Sequence, residues 1–267
     1  MSWDNTLYDV AGKAFGVPVS TLLGGMRRET IEAASEIGIA EPEEMVKEAR
    51  RLVGMGFRVI NIKAGKNVED EIEGVKAIRD AVGTAMELKV DPDGGRSRYG
   101  TLRALKVFAD CNLSYVEQPL PGWDLEGLAW IRKATGVPIM LDESVWNPHD
   151  VIKVAEAEAA DIINIKLTKA GGLKSSLDMY TTAQALGISC MVGTELEVCV
   201  GVTAKVHLAP SLGSLPFACE FTELAFHKMA GEEPFGLEDG CLRVPRGTGL
   251  GTNPPKGLIE EQSLTLT

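Results

Sequence analysis

Val59-Ile60-Asn61-Ile62-Lys63 and Ile162-Ile163-Asn164-Ile165-Lys166 are near copies of one another, each a short apolar run closing on a lysine. Between them in sequence lie three more strand-length runs that close on carboxylates: Val90-Asp91-Pro92-Asp93, Tyr115-Val116-Glu117-Gln118-Pro119 and Ile139-Met140-Leu141-Asp142-Glu143. Runs of this length and composition read as buried strands. Their charged ends would meet only if the strands run parallel and the sheet curls on itself.

The rest of the chain supports that reading. Strand-length runs begin near Ala33, Val59, Glu87, Tyr115, Ile139, Ile162, Ser189 and Phe217, about one every 25 residues, and helical patterns fill the intervals. The expected helices are Pro42 to Met55, Val68 to Val82, Tyr99 to Asp110, Leu125 to Thr135, Asp150 to Ala157, Ser175 to Leu186 and Val202 to Leu212. Eight parallel strands linked by seven helices specify an α/β fold, a TIM-like (β/α)7β barrel with its site at the C-terminal strand ends. An open doubly wound sheet would carry a glycine fingerprint after its first strand, and none follows Ile37-Gly38.

Three parts are expected: a pre-barrel helical segment over 1–31, the barrel over 32–237 and a tail over 238–267. The first reads as a helix stopped at Gly16-Val17-Pro18, and the tail contains a strand-like run, Asp239 to Pro245, with no partner sheet evident in the sequence.

Composition narrows the function. The 267 residues are 45% hydrophobic and carry a net charge of −11, which supports a large core and argues against binding nucleic acid or an anionic membrane. No apolar stretch approaches the roughly 18 residues of a membrane span, and the N-terminus opens no signal peptide, so a cytoplasmic protein is expected. The cysteines, Cys111, Cys190, Cys199, Cys219 and Cys241, lack C-x-x-C spacing and read as free thiols, and His149, His207 and His227 read as structural.

In the expected barrel, strands 2 and 6 are four apart, which puts Lys63 and Lys166 on opposite walls of the mouth. Asp91, Glu117 and Asp142 fill the arc between them. Three hard oxygen donors suit Mg²⁺, with Mn²⁺ an alternative. Such a site favours removing a proton α to a carboxylate, with the lysines as acid and base once their pKa is drawn down by the cation and by each other.

These motifs resemble the enolase superfamily, specifically the muconate lactonizing enzyme branch of the mandelate racemase and muconate lactonizing enzyme group. The resemblance extends to Leu7-Tyr8-Asp9-Val10-Ala11-Gly12-Lys13, Leu22-Leu23-Gly24-Gly25, Ile62-Lys63-Ala64-Gly65, Leu141-Asp142-Glu143-Ser144 and Ile165-Lys166-Leu167-Thr168-Lys169-Ala170-Gly171-Gly172. It implies a Mg²⁺-dependent isomerase or lyase, a muconate cycloisomerase or racemase type, acting on a small-molecule carboxylate through an enolate. By resemblance, Asp91, Glu117 and Asp142 are the metal ligands and Lys63 and Lys166 the acid/base pair. Asn61, Asp93, Asn164, Glu197 and Glu220 are expected in supporting or substrate-contacting positions, Glu197 as the strand-7 carboxylate.

The sequence departs from the family pattern twice. Asn61 stands where the family has the first lysine of Lys-x-Lys, and Cys219-Glu220-Phe221-Thr222 stands where dipeptide epimerases carry Asp-x-Asp. The N-terminal capping domain is expected to be absent. A homo-oligomer or a separate capping domain would then cover the apolar surface, and a catalytically incomplete metal-binding barrel is the competing reading. Gly171-Gly172-Leu173-Lys174-Ser175-Ser176 lacks phosphate-loop spacing and reads as a βα loop with Ser175 as cap. Glu143 reads as a rim or ion-pair residue.

Overall fold

The computed structural model describes residues 1–65, 67–197, 199–226 and 236–252; His227 and the end of the tail lie outside them. Helices α1 (Ser2–Phe15) and α2 (Val19–Leu22) precede the sheet. Parallel strands follow: β1 (Thr30–Ile37), β2 (Val59–Lys63), β3 (Glu87–Asp91), β4 (Leu113–Glu117), β5 (Ile139–Leu141), β6 (Ile162–Ile165), β7 (Ser189–Val192) and β8 (Cys219–Glu220).

The connecting helices are α3 (Pro42–Gly54), α4 (Val68–Val82), α5 (Arg98–Phe108), α6 (Leu125–Thr135), α7 (Pro148–Glu156), the single turn α8 (Leu167–Ala170) leading to α9 (Leu173–Ala185), and α10 (Cys199–Leu208). A short α11 (Glu223–Phe226) follows β8. Side-chain caps start four of them: Asn67, Ser97, Asp124 and Asn147 each accept a backbone N–H from the first turn. Among the described residues no helix is long and apolar enough to cross a membrane.

Hydrogen-bonded neighbours run β8-β1-β2-β3-β4-β5-β6-β7. The two ends of this path, β7 and β8, are in contact but share no ladder among the described residues. The large core, including Ile60, Ile62, Leu88 and Val116, packs between sheet and helices.

The alternate residues point inward and stack in layers. Tyr115, Met140, Ile162 and Met191 form an apolar floor, with Phe217 set edge-on to Tyr115 at 5.3 Å between centroids. Above the floor come Glu117 and Asn164, two residues beyond Tyr115 and Ile162, together with Asn61, Lys89 and Glu220 of β2, β3 and β8, all buried. Lys63, Asp91, Asp142 and Lys166 come next, at the mouth. The period of two therefore converts a dry floor into a charged rim within about 13 Å of strand.

The tail differs from the sequence expectation. Strands β9 (Leu237–Glu238) and β10 (Cys241–Arg243) form a hairpin across Asp239-Gly240, both at positive φ as such a two-residue turn requires, and β10 pairs antiparallel with the start of β1. The partner sheet is the barrel's own first strand, which begins before the parallel part of the sheet.

Beyond the hairpin the tail clasps α1 and α2. Gly249 exchanges backbone hydrogen bonds with Val17 and Val19, and Leu250 N–H donates to Asp9 Oδ1 at 2.8 Å. Buried His207 on α10 accepts from Ser20 N–H at Nδ1 and bonds the Leu250 carbonyl through Nε2 at 3.0 Å, which fixes the neutral Nε2–H tautomer. His207 is thus structural, as expected.

The α9 N-terminus corrects another expectation. Gly172, not Ser175, is its cap residue, and Asp4 of α1 accepts from Leu173 N–H at 2.5 Å. A carboxylate from the protein itself occupies the place a phosphate would take. Cys111, Cys190, Cys199 and Cys219 are buried and Cys241 is half-buried, and none of the five is in a disulfide.

Candidate active site

The barrel mouth opens into a cavity of about 650 Å³ whose lining includes Lys63, Asp142, Glu143, Trp146, Lys166 and Glu195. On one wall, Lys63 Nζ donates to Asp91 Oδ2 at 2.7 Å and Asp93 Oδ1 at 2.8 Å. Opposite, Lys166 Nζ lies 2.7 Å from Asp142 Oδ2 and 3.0 Å from Glu195 Oε1. The structure therefore brings the two lysines to opposing walls, each against one of the acidic strand ends.

Between them sits Glu117, buried, with Oε1 accepting from Asn164 Nδ2 at 2.7 Å and Oε2 buried without a hydrogen-bond partner. Burial, then the negative charges of Asp91, Glu220 and Asp142, push its carboxyl well above the usual carboxylate range. Asp91 is likewise raised, to about 6, by burial against the opposing pull of Lys63. Among the described residues no three His, Cys, Asp or Glu side chains are gathered as a metal centre; lysines supply the counter-charge at Asp91 and Asp142.

These carboxylates also act on the two lysines. Burial alone would lower Lys63, but Asp91 and Asp93 hold it well above its ordinary value; Lys166 is likewise raised by Asp142, Glu220 and Glu117 despite its burial.

Asn61 donates to Glu220 Oε1 at 3.1 Å, the interior role its position two residues before Lys63 implies. The charge missing at residue 61 reappears one strand over. Lys89, the cross-strand partner of Asn61, is fully buried and donates to the same Glu220 oxygen at 3.0 Å. Glu220 is held near 2 by Lys89 and Lys166, overcoming the effect of burial. The signal was available: Lys89 lies two residues before Asp91 and must share its inward face.

Glu197 lies in a second charged cluster. It pairs at 3.0 Å with fully buried Lys205, which also reaches Glu223 at 2.7 Å; burial notwithstanding, Lys205 holds Glu197 near 2. Glu195, two residues earlier, is the carboxylate that reaches Lys166. Of the two roles expected for Glu143 the rim position is the one seen: it lines the cavity, has no ion pair among the described residues, its Oε2 is buried and unpartnered, and burial followed by Asp142 raises it to about 7.

Three further groups position the site. Gln118 Oε1 accepts from Asp142 N–H at 2.9 Å, tying the ends of β4 and β5. Lys169, wound back by α8, bonds both the carbonyl and a side-chain oxygen of Asp142. Gly193 has no Cβ because Asn164 packs directly where one would be.

Residues 44–257 match the family model described as enolase C-terminal domain-like. The chain belongs to that family. This enolase-type barrel is 39% identical over 208 residues to the L-Ala-D/L-Glu epimerase of Clostridium acetobutylicum, covering 77% of this chain and 58% of that enzyme. It is 34% identical over 252 residues to muconate cycloisomerase 1 of Rhodococcus opacus, covering 93% of this chain and 67% of the other. The structure of a dipeptide epimerase from Enterococcus faecalis V583, complexed with Mg and the dipeptide L-Leu-L-Tyr, superposes with a TM-score of 0.87 at 31% identity, covering 94% of this chain and 71% of that one. The barrel thus spans about three fifths of the length of the epimerase it matches at 39% identity.

Proposed function

We propose that this barrel removes the proton α to a carboxylate of a small-molecule substrate and returns a proton, giving racemisation, epimerisation or cycloisomerisation. Lys63 and Lys166 are the acid/base pair, one on each face of the substrate. The observation that carries the reading is their placement on opposing walls of one cavity, with Asp91, Glu117 and Asp142 in the arc between.

The donor chemistry fits a hard divalent cation, Mg²⁺ or Mn²⁺, at those three carboxylates. They are buried oxygen donors on adjacent strands, the charges of Asp91 and Asp142 add to burial in raising Glu117, and Glu117 Oε2 has no partner. When bound, such an ion would stabilise negative charge developing on the substrate's carboxylate.

The chain's own residues set the remaining steps. Asn164 orients Glu117, Gln118 and Lys169 hold Asp142, and the Lys89–Glu220–Asn61 cluster fixes the charge beneath the substrate. An ammonium released from its carboxylate becomes free to lose a proton, so engagement of Asp91 and Asp142 elsewhere is the condition for Lys63 or Lys166 to act as base.

The test is hydrogen–deuterium exchange at the α-carbon in D₂O with Mg²⁺, followed by NMR for each enantiomer of N-acyl amino acids and dipeptides. Lys63→Ala should stop exchange from one enantiomer and Lys166→Ala from the other. Wild-type exchange of both enantiomers in both variants would overturn the assignment.

A second reading has one observation in its favour. Trp3, Leu7, Val10 and Phe15 of α1 are exposed large apolar residues. A barrel that works only with a covering partner, another copy or a separate capping domain, would bury them. Light scattering on the active protein separates the two: turnover by a clean monomer counts against a required partner.

A further inference from the structure

The loop between β7 and α10 carries three cavity-lining residues, Thr194, Glu195 and Leu196, and stands on the Lys166 side because β7 is the neighbour of β6. Side chains hold its backbone. Glu195 N–H donates to Glu197 Oε2 at 3.3 Å, Leu196 N–H to Thr194 Oγ1 at 3.0 Å and Glu197 N–H to Glu223 Oε1 at 3.1 Å. Leu196 itself is left-handed at φ 57°, a conformation that a bulky side chain adopts at a cost and that persists only where its surroundings impose it.

The three acceptors converge on one ammonium. Lys205 of α10, fully buried, lies 3.0 Å from Glu197 Oε2 and 2.7 Å from Glu223 Oε1, and Thr194 Oγ1 bonds those same two oxygens. Its Nζ also reaches the Glu220 carbonyl, at the end of β8, at 3.4 Å. The cation therefore ties the β7 loop to β8 and α11 where β7 and β8 share no ladder among the described residues. A well-packed apolar side chain often stabilises such a buried position as well or better, so what these ion pairs supply is a defined geometry.

We propose that Lys205 is a positioning residue for the reaction: through Glu197, Glu223 and Thr194 it holds the β7 loop in its strained shape and so sets the cavity wall beside Lys166. The inference rests on the proton-transfer reading above and extends it to a residue that touches no substrate. Glu195 is the link. It lies 3.0 Å from Lys166 Nζ and is not among the three carboxylates assigned to a cation, so engagement of Asp142 leaves that contact in place. Lys63, four strands away on β2, is bounded by other loops, so the effect falls on one face of the substrate.

Lys205→Met, and the milder Glu223→Gln that keeps the shape of its side chain, test the proposal in Mg²⁺-supplemented protein. Two quantities are read: amide hydrogen exchange by mass spectrometry, and α-deuterium exchange from each enantiomer of the N-acyl amino acids and dipeptides. In Lys205→Met the amides of residues 195–197 should exchange roughly tenfold or more faster than in the wild type while those of β3 keep their protection. Exchange from the enantiomer that Lys166→Ala silences should lose roughly tenfold in kcat with KM little changed, and exchange from the other should stay within about twofold. Glu223→Gln should move both readouts the same way by smaller factors, and it decides the matter if Lys205→Met does not fold. Unchanged loop amides overturn the proposal. Loop and β3 amides deprotected together, or equal losses from both enantiomers, would make Lys205 a general stabilising group and overturn it as well. If Lys63→Ala and Lys166→Ala do not separate the enantiomers at all, the proton-transfer reading falls, while the loop amides still decide whether Lys205 anchors this wall.

Discussion

Two polar regions of this barrel use similar residues to opposite ends. The clasp joining α1, α2, α10 and the tail pairs its groups: Asp9 with Leu250 and Lys13, Asp4 with Leu173, His207 with Ser20 and Leu250. At the mouth, like charges are packed together, Glu117 and Glu143 keep an unpartnered oxygen, and several acids are forced upward in pKa. The clasp contributes to folding, whereas the mouth costs folding free energy that only a ligand can offset. Substitutions in the two regions should therefore separate stability from activity.

The largest expected effect is at the mouth. Lys63→Ala or Lys166→Ala should lower turnover by about 10²- to 10⁴-fold, the usual contribution of a positioned acid or base, in protein that remains folded. A loss of fold in parallel with activity would merge the two regions and break the comparison.

Next is Glu117→Gln, whose sign is diagnostic. Glu117 titrates above its unfolded value, so the folded state retains a proton that the unfolded chain gives up. Stability is then present at pH below the unfolded pKa and is lost as pH rises from about 4.3 towards the folded value. In metal-free protein at neutral pH, Glu117→Gln should raise stability, read by chemical denaturation, and flatten this part of its pH dependence. Destabilisation instead would show that the carboxylate is a structural group.

In the clasp, Asp9→Ala leaves Leu250 N–H without its acceptor and should cost about 1–3 kcal/mol of stability, with kcat and KM unchanged. A fall in kcat without loss of stability would tie the clasp to the chemistry.

The smallest effect is a pH dependence at His207. Burial lowers its pKa, against weaker raising contributions from the Leu250 carbonyl and Asp9. Its contribution is fully present above the unfolded value of about 6.5 and is lost as pH falls through the folded value. Unfolding curves from pH 7 to 5 should show less acid destabilisation in His207→Asn than in the wild type, whatever the variant's stability at pH 7.

The same contrast marks what the sequence could reveal. All eight strands and their seven crossovers follow from hydrophobic period and spacing, which are local properties, and so does the meeting of Lys63 with the wall facing Lys166. Lys89 is legible by alternation with Asp91, two residues on along one strand, whereas its pairing with Glu220 of β8 joins distant parts of the chain. The choice of Glu195 over Glu197 as partner of Lys166 depends on the path of the loop after β7, where Lys205 of α10 captures Glu197. The pairing of β10 with β1 joins residues some 200 positions apart, and no local pattern encodes it.

The account's central claim is that the mouth is built around a divalent cation. Calorimetric titration of Mg²⁺ into the wild type and into Glu117→Gln tests it most directly. Saturable binding by the wild type, lost in Glu117→Gln, is the expected result; no binding by the wild type, or equal binding by both, would contradict it.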